Sequence, residues 1–204
     1  MGWYGDQVLP RIIDVACGVK MVVPLRQRVC EQLHGRVLEL GFGSGLNVPY
    51  YPDGVTAVDA AEPSDVAWRL AGKRRAASRV PVRRSALDGE LLPYGDHSFD
   101  TALSTWTLCT IPDPAAALRE VRRVLRPGGT FHFIEHGLAP DEDVRRWQHR
   151  LEPMQRRLAG GCHLTRSVGD LLSATGFTIT ELDVFYEGRP RALGAHSLGT
   201  AVSA

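Results

Sequence analysis

The sequence predicts an α/β fold in which a mostly parallel sheet is covered by helices on both faces. Two observations predict it. Short apolar segments alternate along the chain with segments of helical periodicity, and neither a repeat nor a low-complexity linker interrupts the alternation. The length of 204 residues suits one well-covered core. We therefore expect a single domain over residues 1–204.

Seven apolar segments are predicted to form the strands: Arg36–Leu40, Val55–Glu62, Val80–Arg84, Phe99–Thr105, Thr130–His136, Thr178–Asp183 and Ser197–Ser203. Residues 5–34 precede the first strand and have helical character, which Pro24 interrupts. They predict a helical cap over residues 1–34 that folds over the carboxyl edge of the sheet.

The clearest helix follows the fourth strand. Asp113 can cap it and Pro114 can occupy its first turn. Apolar residues then recur at helical spacing, namely Ala117, Leu118, Val121, Val124 and Leu125. The sequence Pro127-Gly128-Gly129 is predicted to end this helix and to turn the chain into the fifth strand. A second helix is predicted from about residue 65 to residue 78.

The composition restricts the classes of function. The formal net charge is +1, so no global field favours nucleic acid, and we interpret the basic residues between Arg69 and Arg84 as a solvated face. The four cysteines form no CxxC pair, which argues against a disulfide framework and a structural zinc site. The sequence shows neither a signal-peptide pattern nor an apolar run of the roughly 18 residues that span a bilayer. We expect a cytoplasmic protein with no metal, no nucleic-acid partner and no transmembrane segment.

A glycine-rich loop with the sequence VLELGFGSGLN closes the first strand. In an open α/β sheet, ligands bind beyond the carboxyl ends of the strands, where this loop lies. A dinucleotide fingerprint would require glycine at Leu46, and a phosphate-binding P-loop would require a nearby lysine that is missing. The acidic Glu39 would repel a phosphate and attract a cation. The loop therefore predicts a ligand without phosphate groups.

The spacing Glu39-x-Gly41-x-Gly43-x-Gly45 resembles motif I of class I S-adenosylmethionine-dependent methyltransferases. The resemblance implies a Rossmann-like fold with a seven-stranded, mostly parallel sheet. It also implies S-adenosylmethionine as cofactor, with S-adenosylhomocysteine as its product. Glu39, the three glycines and Asn47 would then contact the amino-acid portion and the ribose of the cofactor.

The second strand ends in Glu62-Pro63-Ser64, which is similar to the acidic-Pro-Ser sequence of these enzymes. The resemblance implies that Glu62, with Pro63 beside it, binds the two ribose hydroxyls. Asp59 lies three residues earlier in the same strand and is the alternative.

Later segments continue the resemblance in the same order. Asp88-Gly89 follows the third strand, where an acidic residue of the family meets the adenine amino group, and Glu90 is the alternative. Thr105-Trp106 ends the fourth strand, where the family lines the methyl-donor pocket. The sequence Leu125-Arg126-Pro127-Gly128-Gly129 is similar to the turn that precedes strand five in these enzymes.

Other segments resemble the methyltransferase-like 7 family, whose mammalian members are alkyl-thiol S-methyltransferases that also accept hydrogen sulfide. They are Leu108-Cys109-Thr110-Ile111, Phe133-Ile134-Glu135-His136 and Gly161-Cys162-His163-Leu164-Thr165-Arg166. The resemblance implies methyl transfer to a small-molecule acceptor, with a thiol or hydrogen sulfide favoured, and a helical insertion on the acceptor side over residues 140–175. The alternatives are a quinone or phenol C- or O-methyltransferase and a non-catalytic module that binds S-adenosylmethionine.

Two histidines are candidate catalytic residues. His136 ends the fifth strand, and His163 lies in the Gly-Cys-His-Leu-Thr-Arg sequence. Either side chain can take a proton, although a single histidine is often a hydrogen-bonded structural residue. Cys109 and Cys162 are expected to pack in a pocket or the core, because methyl transfer needs no covalent enzyme intermediate. The sequence predicts no oligomeric state.

Overall fold

The computed structural model describes residues 3–203. Met1, Gly2 and Ala204, which belong to the predicted domain 1–204 and in part to the predicted cap 1–34, lie outside the described residues. One seven-stranded sheet has the strand order β3-β2-β1-β4-β5-β7-β6. Its strands are β1 (Gly35–Leu40), β2 (Val55–Ala61), β3 (Val82–Ala86), β4 (Phe99–Thr105), β5 (Leu125–His136), β6 (Phe177–Tyr186) and β7 (Ala195–Ser203).

Strands β1 to β5 are parallel, and β7 is antiparallel to both β5 and β6. The mostly parallel, seven-stranded Rossmann-like sheet confirms the predicted fold class. The strand order reverses between β1 and β4, where Leu40 pairs with Ser104. This reversal is the point at which open α/β sheets bind ligands, and it lies directly below the glycine loop.

Alternation along the strands gives the sheet two different faces. Leu38 packs in a core cluster with the helix after β4, whereas its neighbour Val37 packs in a second cluster on the opposite face. Leu103 and Ile134 belong to the second cluster. Residues two positions further along each strand share that face, which places Glu39 on β1, Thr105 on β4 and His136 on β5 on the same face near the carboxyl edge.

The helices cover both faces. They are α1 (Leu9–Ala16), α2 (Val23–Cys30), α3 (Asp65–Leu70), α4 (Gly72–Ala76), α5 (Pro114–Val124), α6 (Glu142–Leu158) and α7 (Val168–Ala174). A short π-helix covers Tyr4–Val8, and 3-10 turns cover Lys20–Val22 and Val48–Tyr50. Within residues 3–203, no helix combines the length and the apolar character needed to cross a membrane.

Helix α5 is capped as the sequence predicts. The Asp113 carboxylate accepts a hydrogen bond from the Ala116 N–H at 2.9 Å, and Pro114 is the first helical residue. Its end differs from the prediction, because Leu125 is already extended and pairs with Phe99. The Pro-Gly-Gly sequence therefore lies inside β5, where a register shift against β4 accommodates it.

Two other helical segments also differ from the prediction. The helix expected over residues 65–78 divides into α3 and α4 at Ala71. Pro24 lies in the first turn of α2, where its missing N–H interrupts no helical hydrogen bond. The N-terminal segment instead breaks at residues 17–19, after α1.

Candidate active site

The glycine loop begins immediately after β1. Gly41 has a φ of +62°, and a Cβ at this position would overlap the side chain of Thr107. Gly43 has a φ of +59°, but a Cβ there would meet only the Gly41 carbonyl oxygen, at 3.8 Å. Positive φ favours glycine at both positions. Packing therefore excludes a side chain at Gly41, whereas the space beside the backbone at Gly43 is open.

The Glu62 carboxylate lies against this loop from the end of β2. Its Oε2 accepts a hydrogen bond from the Gly43 N–H at 2.6 Å, and its Oε1 accepts one from the Ser64 N–H at 2.7 Å. Burial raises the pKa of Glu62, and the two backbone donors oppose this shift. Because each carboxylate oxygen can accept more than one hydrogen bond, Glu62 is able to accept further donors from a ligand.

The alternative residue, Asp59, lies within the sheet. Its carboxylate accepts hydrogen bonds from Arg36 Nε at 2.7 Å and from Ser85 Oγ at 2.9 Å. The structure thus places Glu62, rather than Asp59, beside the glycine loop. Pro63 is exposed, and its carbonyl oxygen accepts a hydrogen bond from Arg84 Nη2 at 3.0 Å.

The turn after β3 contains the two acidic candidates for adenine binding. Glu90 Oε1 accepts a hydrogen bond from the Asp113 N–H at 2.9 Å, so this side chain supports the start of α5. Asp88 is exposed, and its Oδ1 accepts the Glu90 N–H at 2.8 Å. A Cβ at Gly89 would lie 3.3 Å from Leu40 Cδ2, which places this turn next to the end of β1.

A buried polar network lies beneath the glycine loop. Glu39 accepts hydrogen bonds from Asn47 Nδ2, at 2.8 Å, and from the Tyr51 hydroxyl. Asn47 Nδ2 also donates to Thr105 Oγ1 at 3.0 Å, which joins the loop to β4. Burial raises the pKa of Glu39 to about 7, and the Tyr51 and Asn47 hydrogen bonds oppose this shift. Glu39 is fully buried, and it fixes the loop through its hydrogen bond with Asn47.

Arg26 on α2 completes this network and was not predicted from the sequence. The residue is 4% exposed, and its Nη1 donates to Asn47 Oδ1 at 2.6 Å while Nη2 donates to the Cys17 carbonyl at 3.0 Å. Among the described residues, Arg26 Nε has no hydrogen-bond partner. A buried N–H without a partner costs roughly 1–3 kcal/mol. Arg26 Nε is therefore a buried donor that the network itself leaves unused.

Trp106 has an unusual backbone conformation at the end of β4. Its φ is +52°, which is rare for a bulky residue and is typical of functional sites. The Trp106 N–H donates to the Ile134 carbonyl at 2.8 Å. The Arg26 guanidinium lies 4.7 Å from the centre of the indole ring, and the His196 ring lies 6.0 Å away, nearly perpendicular to it. The indole therefore separates the buried network from a second group of rings.

That second group contains His136 and His196, which pair across β5 and β7. Their ring centres are 4.7 Å apart, and the ring of Phe185 stacks on His196 at 5.8 Å. His196 Nδ1 lies 2.9 Å from the Gly194 carbonyl oxygen, and burial lowers the pKa of His196 to about 4. His196 is consequently neutral at pH 7. Sequence periodicity did not identify it, because the pairing of β7 with β5 is a long-range feature.

The two predicted histidines have different environments. His163 Nδ1 lies 3.4 Å from Glu152 Oε1 on α6. The neighbouring Cys162, and not His163, faces the sheet edge, with its Sγ 3.7 Å from His136 Nδ1. His136 is therefore the histidine that joins the carboxyl-edge group of rings.

Known methyltransferases are similar to this chain in sequence and in fold. A family model described as a methyltransferase domain matches residues 38–133, which include the glycine loop, Glu62 and Asp88. The chain is 34% identical to thiol S-methyltransferase TMT1B of Rattus norvegicus over 175 residues, a match that covers 81% of this chain and 70% of the relative. Thiol S-methyltransferase TMT1B of Homo sapiens shows the same identity and coverage.

A solved structure of an S-adenosylmethionine-dependent methyltransferase from Thermotoga maritima has the same fold. The TM-score is 0.70 at 19% identity, and the match covers 98% of this chain and 100% of that one. This likeness supports the fold, whereas the identity to the rat and human proteins over most of the chain establishes the family. The chain belongs to the thiol S-methyltransferase family, and it is a class I methyltransferase that uses S-adenosylmethionine.

Proposed function

We propose that the chain transfers the methyl group of S-adenosylmethionine to the sulfur of a small thiol or of hydrogen sulfide. The relatives with 34% identity over 81% of the chain are named thiol S-methyltransferases. The observation in the structure that carries the proposal is the group of rings beside Trp106, formed by His136, Phe185 and His196. Aromatic rings make favourable contacts with sulfur, and this environment suits a small, polarisable nucleophile.

The residues around the glycine loop fit the cofactor. The open space at Gly43 and the remaining acceptor capacity of Glu62 suit a ribose with two hydroxyl groups. The exposed Asp88 carboxylate is able to accept the adenine amino group, and Gly89 lies beside Leu40 at the same edge. Arg26, through its unpartnered Nε, would bind the carboxylate of the methionine portion.

The remaining predicted cofactor-binding residues would shape the glycine loop and hold it in place. Gly41 and Gly45 shape the loop, while Glu39 and Asn47 hold it against Thr105. Trp106 would then separate the methionine portion from the acceptor side. Pro63 would turn the chain from Glu62 into α3, whose first turn is capped by the Ser64 hydroxyl.

The reaction requires little chemistry from the protein itself. S-adenosylmethionine supplies an electrophilic methyl group on a positively charged sulfur. The chain has to orient the acceptor in line with that methyl group and to exclude water. A thiol with a pKa of about 8.5 is partly ionised near neutrality, so a strong base is unnecessary. We propose that His136 lies at the acceptor site. His163 does not, because its ring pairs with Glu152.

A competition assay tests this function. The protein is incubated with S-adenosylmethionine carrying a deuterated methyl group and with sulfide, an alkyl thiol, the alcohol with the same alkyl chain, a phenol and a quinol. We expect a labelled thioether from the thiol and no product from the matched alcohol. Product formed only from the phenol or quinol would contradict the proposal. Saturable binding of S-adenosylmethionine without product from any acceptor would instead indicate a non-catalytic module.

A further inference from the structure

Three potential metal ligands meet at the carboxyl edge of the sheet. One donor atom from each of Cys109, His136 and Cys162 lies within 4.8 Å of the other two. Both thiols are buried and free of disulfide bonds. Cys109 lies in the turn after β4, His136 ends β5, and Cys162 lies between α6 and α7. Three distant segments of the chain therefore bring two sulfur atoms and one imidazole to one point.

The distance between two of these atoms is close to the separation of neighbouring ligands around a tetrahedral zinc ion. With Zn–S bonds of about 2.3 Å and Zn–N bonds of about 2.0–2.1 Å, neighbouring ligand atoms lie about 3.5–3.8 Å apart. Cys162 Sγ and His136 Nδ1 are 3.7 Å apart. Two cysteines and one histidine are also a donor set that zinc prefers.

The surrounding residues fix the cluster. The Cys109 N–H donates to Glu135 Oε2 at 3.3 Å, and the Cys109 carbonyl accepts the His163 N–H at 2.8 Å. Arg166 Nη1 donates to the Ile111 carbonyl at 2.7 Å, on the other side of the same turn. The backbone on both sides of the two thiols is thus held by hydrogen bonds.

The cluster also borders the cofactor site. Thr107 Oγ1 lies 3.5 Å from the Gly41 carbonyl of the glycine loop. The Thr107 N–H and the Cys109 N–H both donate to the Glu135 carboxylate, which connects the loop to the cluster. The His136 ring lies 4.7 Å from His196 in the group of rings assigned to the acceptor.

We propose that Cys109, His136 and Cys162 bind a zinc ion whose fourth position receives the sulfur of the acceptor. The role of the fourth position rests on the proposed function, whereas the metal site itself does not. Three protein ligands and one open position are the arrangement of catalytic zinc sites. The sequence predicted no metal, because the three ligands come from separate segments and form no local motif.

The chemistry balances without an oxidant or a reductant. The thiol binds zinc through its sulfur and releases its proton to water. The sulfur then forms a bond to the methyl carbon while the bond from that carbon to the sulfonium sulfur breaks, and the electron pair of that bond stays on the departing sulfur. The neutral thioether is a weaker ligand than the thiolate and leaves the metal. In this reaction His136 acts as a ligand rather than as a base.

Cobalt spectroscopy tests the metal site independently of turnover. The reduced, metal-free protein is titrated with Co²⁺, which replaces zinc and gives thiolate-to-cobalt charge-transfer absorption. We expect one Co²⁺ per chain, displacement by Zn²⁺, and a change in the visible bands when an alkyl thiol, but not the matched alcohol, is added. The absence of thiolate-to-cobalt absorption in the wild-type protein would overturn the proposal.

Cysteine substitutions test whether the cobalt absorption arises at the cluster of Cys109, His136 and Cys162. We expect Cys162→Ser to weaken Co²⁺ binding by more than about 100-fold, beyond the effect typical of residues outside the ligand set. Cys30→Ser, at a buried cysteine on α2, is the matched control and should keep the absorption. An unchanged spectrum in a folded Cys162→Ser protein would contradict the assignment. Full thiol methylation by the metal-free enzyme would overturn the role of the metal in the reaction without contradicting the proposed function, whereas a thiol-binding cobalt site without methyl transfer would contradict only the proposed function.

Discussion

The Glu62 carboxylate and the Gly43 backbone N–H are joined by a hydrogen bond of 2.6 Å. This contact connects the end of β2 to the loop after β1, so one buried acidic side chain supports the loop. Asp59 is three residues earlier and is bonded to Arg36 and Ser85. Only Glu62 contacts the glycine loop, so substitutions at Glu62 and at Asp59 provide the first test of the cofactor site.

We expect Glu62→Ala to raise the Kd for S-adenosylmethionine by about two to four orders of magnitude. The reason is the loss of hydrogen bonds from the ribose hydroxyls to a charged acceptor, each of which contributes about 1.5–3 kcal/mol. Asp59→Asn is the control and should change the Kd by less than about threefold. The melting temperatures of both variants are compared first. Calorimetric titration with S-adenosylmethionine then measures the Kd of each variant. Equal affinity of wild type and Glu62→Ala would remove Glu62 from the site.

Gly43→Ala should weaken cofactor binding, because the added methyl group occupies the open space above the loop and the φ of +59° strains it. Gly128→Ala is the matched control, since Gly128 has a φ of +78° and nothing lies within 4 Å of a Cβ there. Both variants should lose similar stability, and only Gly43→Ala should lose affinity for S-adenosylhomocysteine. A parallel loss of affinity in both would show that backbone strain alone is responsible.

Arg26→Met should selectively weaken binding of ligands that carry a carboxylate. The unpartnered Nε of Arg26 is the proposed donor to the methionine carboxylate. Titrations with S-adenosylmethionine and with its decarboxylated analogue separate this contact from a general disturbance of the loop. We expect wild type to prefer the carboxylate-containing ligand and Arg26→Met to lose about tenfold or more of that preference. An unaltered preference would place the carboxylate elsewhere.

Glu39→Gln should change how stability depends on pH. Burial raises the pKa of Glu39 from 4.5 to about 7, so the folded protein holds this proton more tightly than the unfolded chain. The stabilisation is fully present below about pH 4.5 and is lost as the pH rises to about 7. The variant should therefore gain about 3 kcal/mol relative to wild type across this interval.

Urea unfolding of both proteins at a series of pH values measures this difference. The buried histidines His132 and His196, whose pKa values are lowered to about 4 by burial, titrate in both proteins and cancel in the subtraction. A constant difference in the free energy of unfolding from pH 4.5 to 7.5 would show that Glu39 is ionised throughout.

Local sequence signals predicted the elements that depend on local chemistry. The apolar runs placed the seven strands to within a few residues for most of their ends, and Asp113-Pro114 located the start of α5. The prediction failed where tertiary pairing determines the backbone. Pairing with Phe99 ends α5 before the Pro-Gly-Gly sequence, and residues 65–78 form two short helices in place of one.

Local sequence signals predicted candidate residues mainly for the cofactor half of the site. The glycine spacing and the position of Glu62 are properties of the continuous segment from β1 to the end of β2, which a linear sequence displays. Arg26 and His196 carry no local signal, because their roles arise from contacts of α2 with the loop and of β7 with β5. The meeting of Cys109 with Cys162 likewise depends on how the segment between α6 and α7 returns to the sheet edge.

Calorimetric titration of the wild-type protein with S-adenosylhomocysteine, NAD and ATP tests most directly whether the loop after β1 is a nucleoside site without a phosphate subsite. We predict one equivalent of S-adenosylhomocysteine bound per chain and no heat from either phosphate-containing ligand. Saturable heat from NAD or ATP, with none from S-adenosylhomocysteine, would contradict the assignment of this loop.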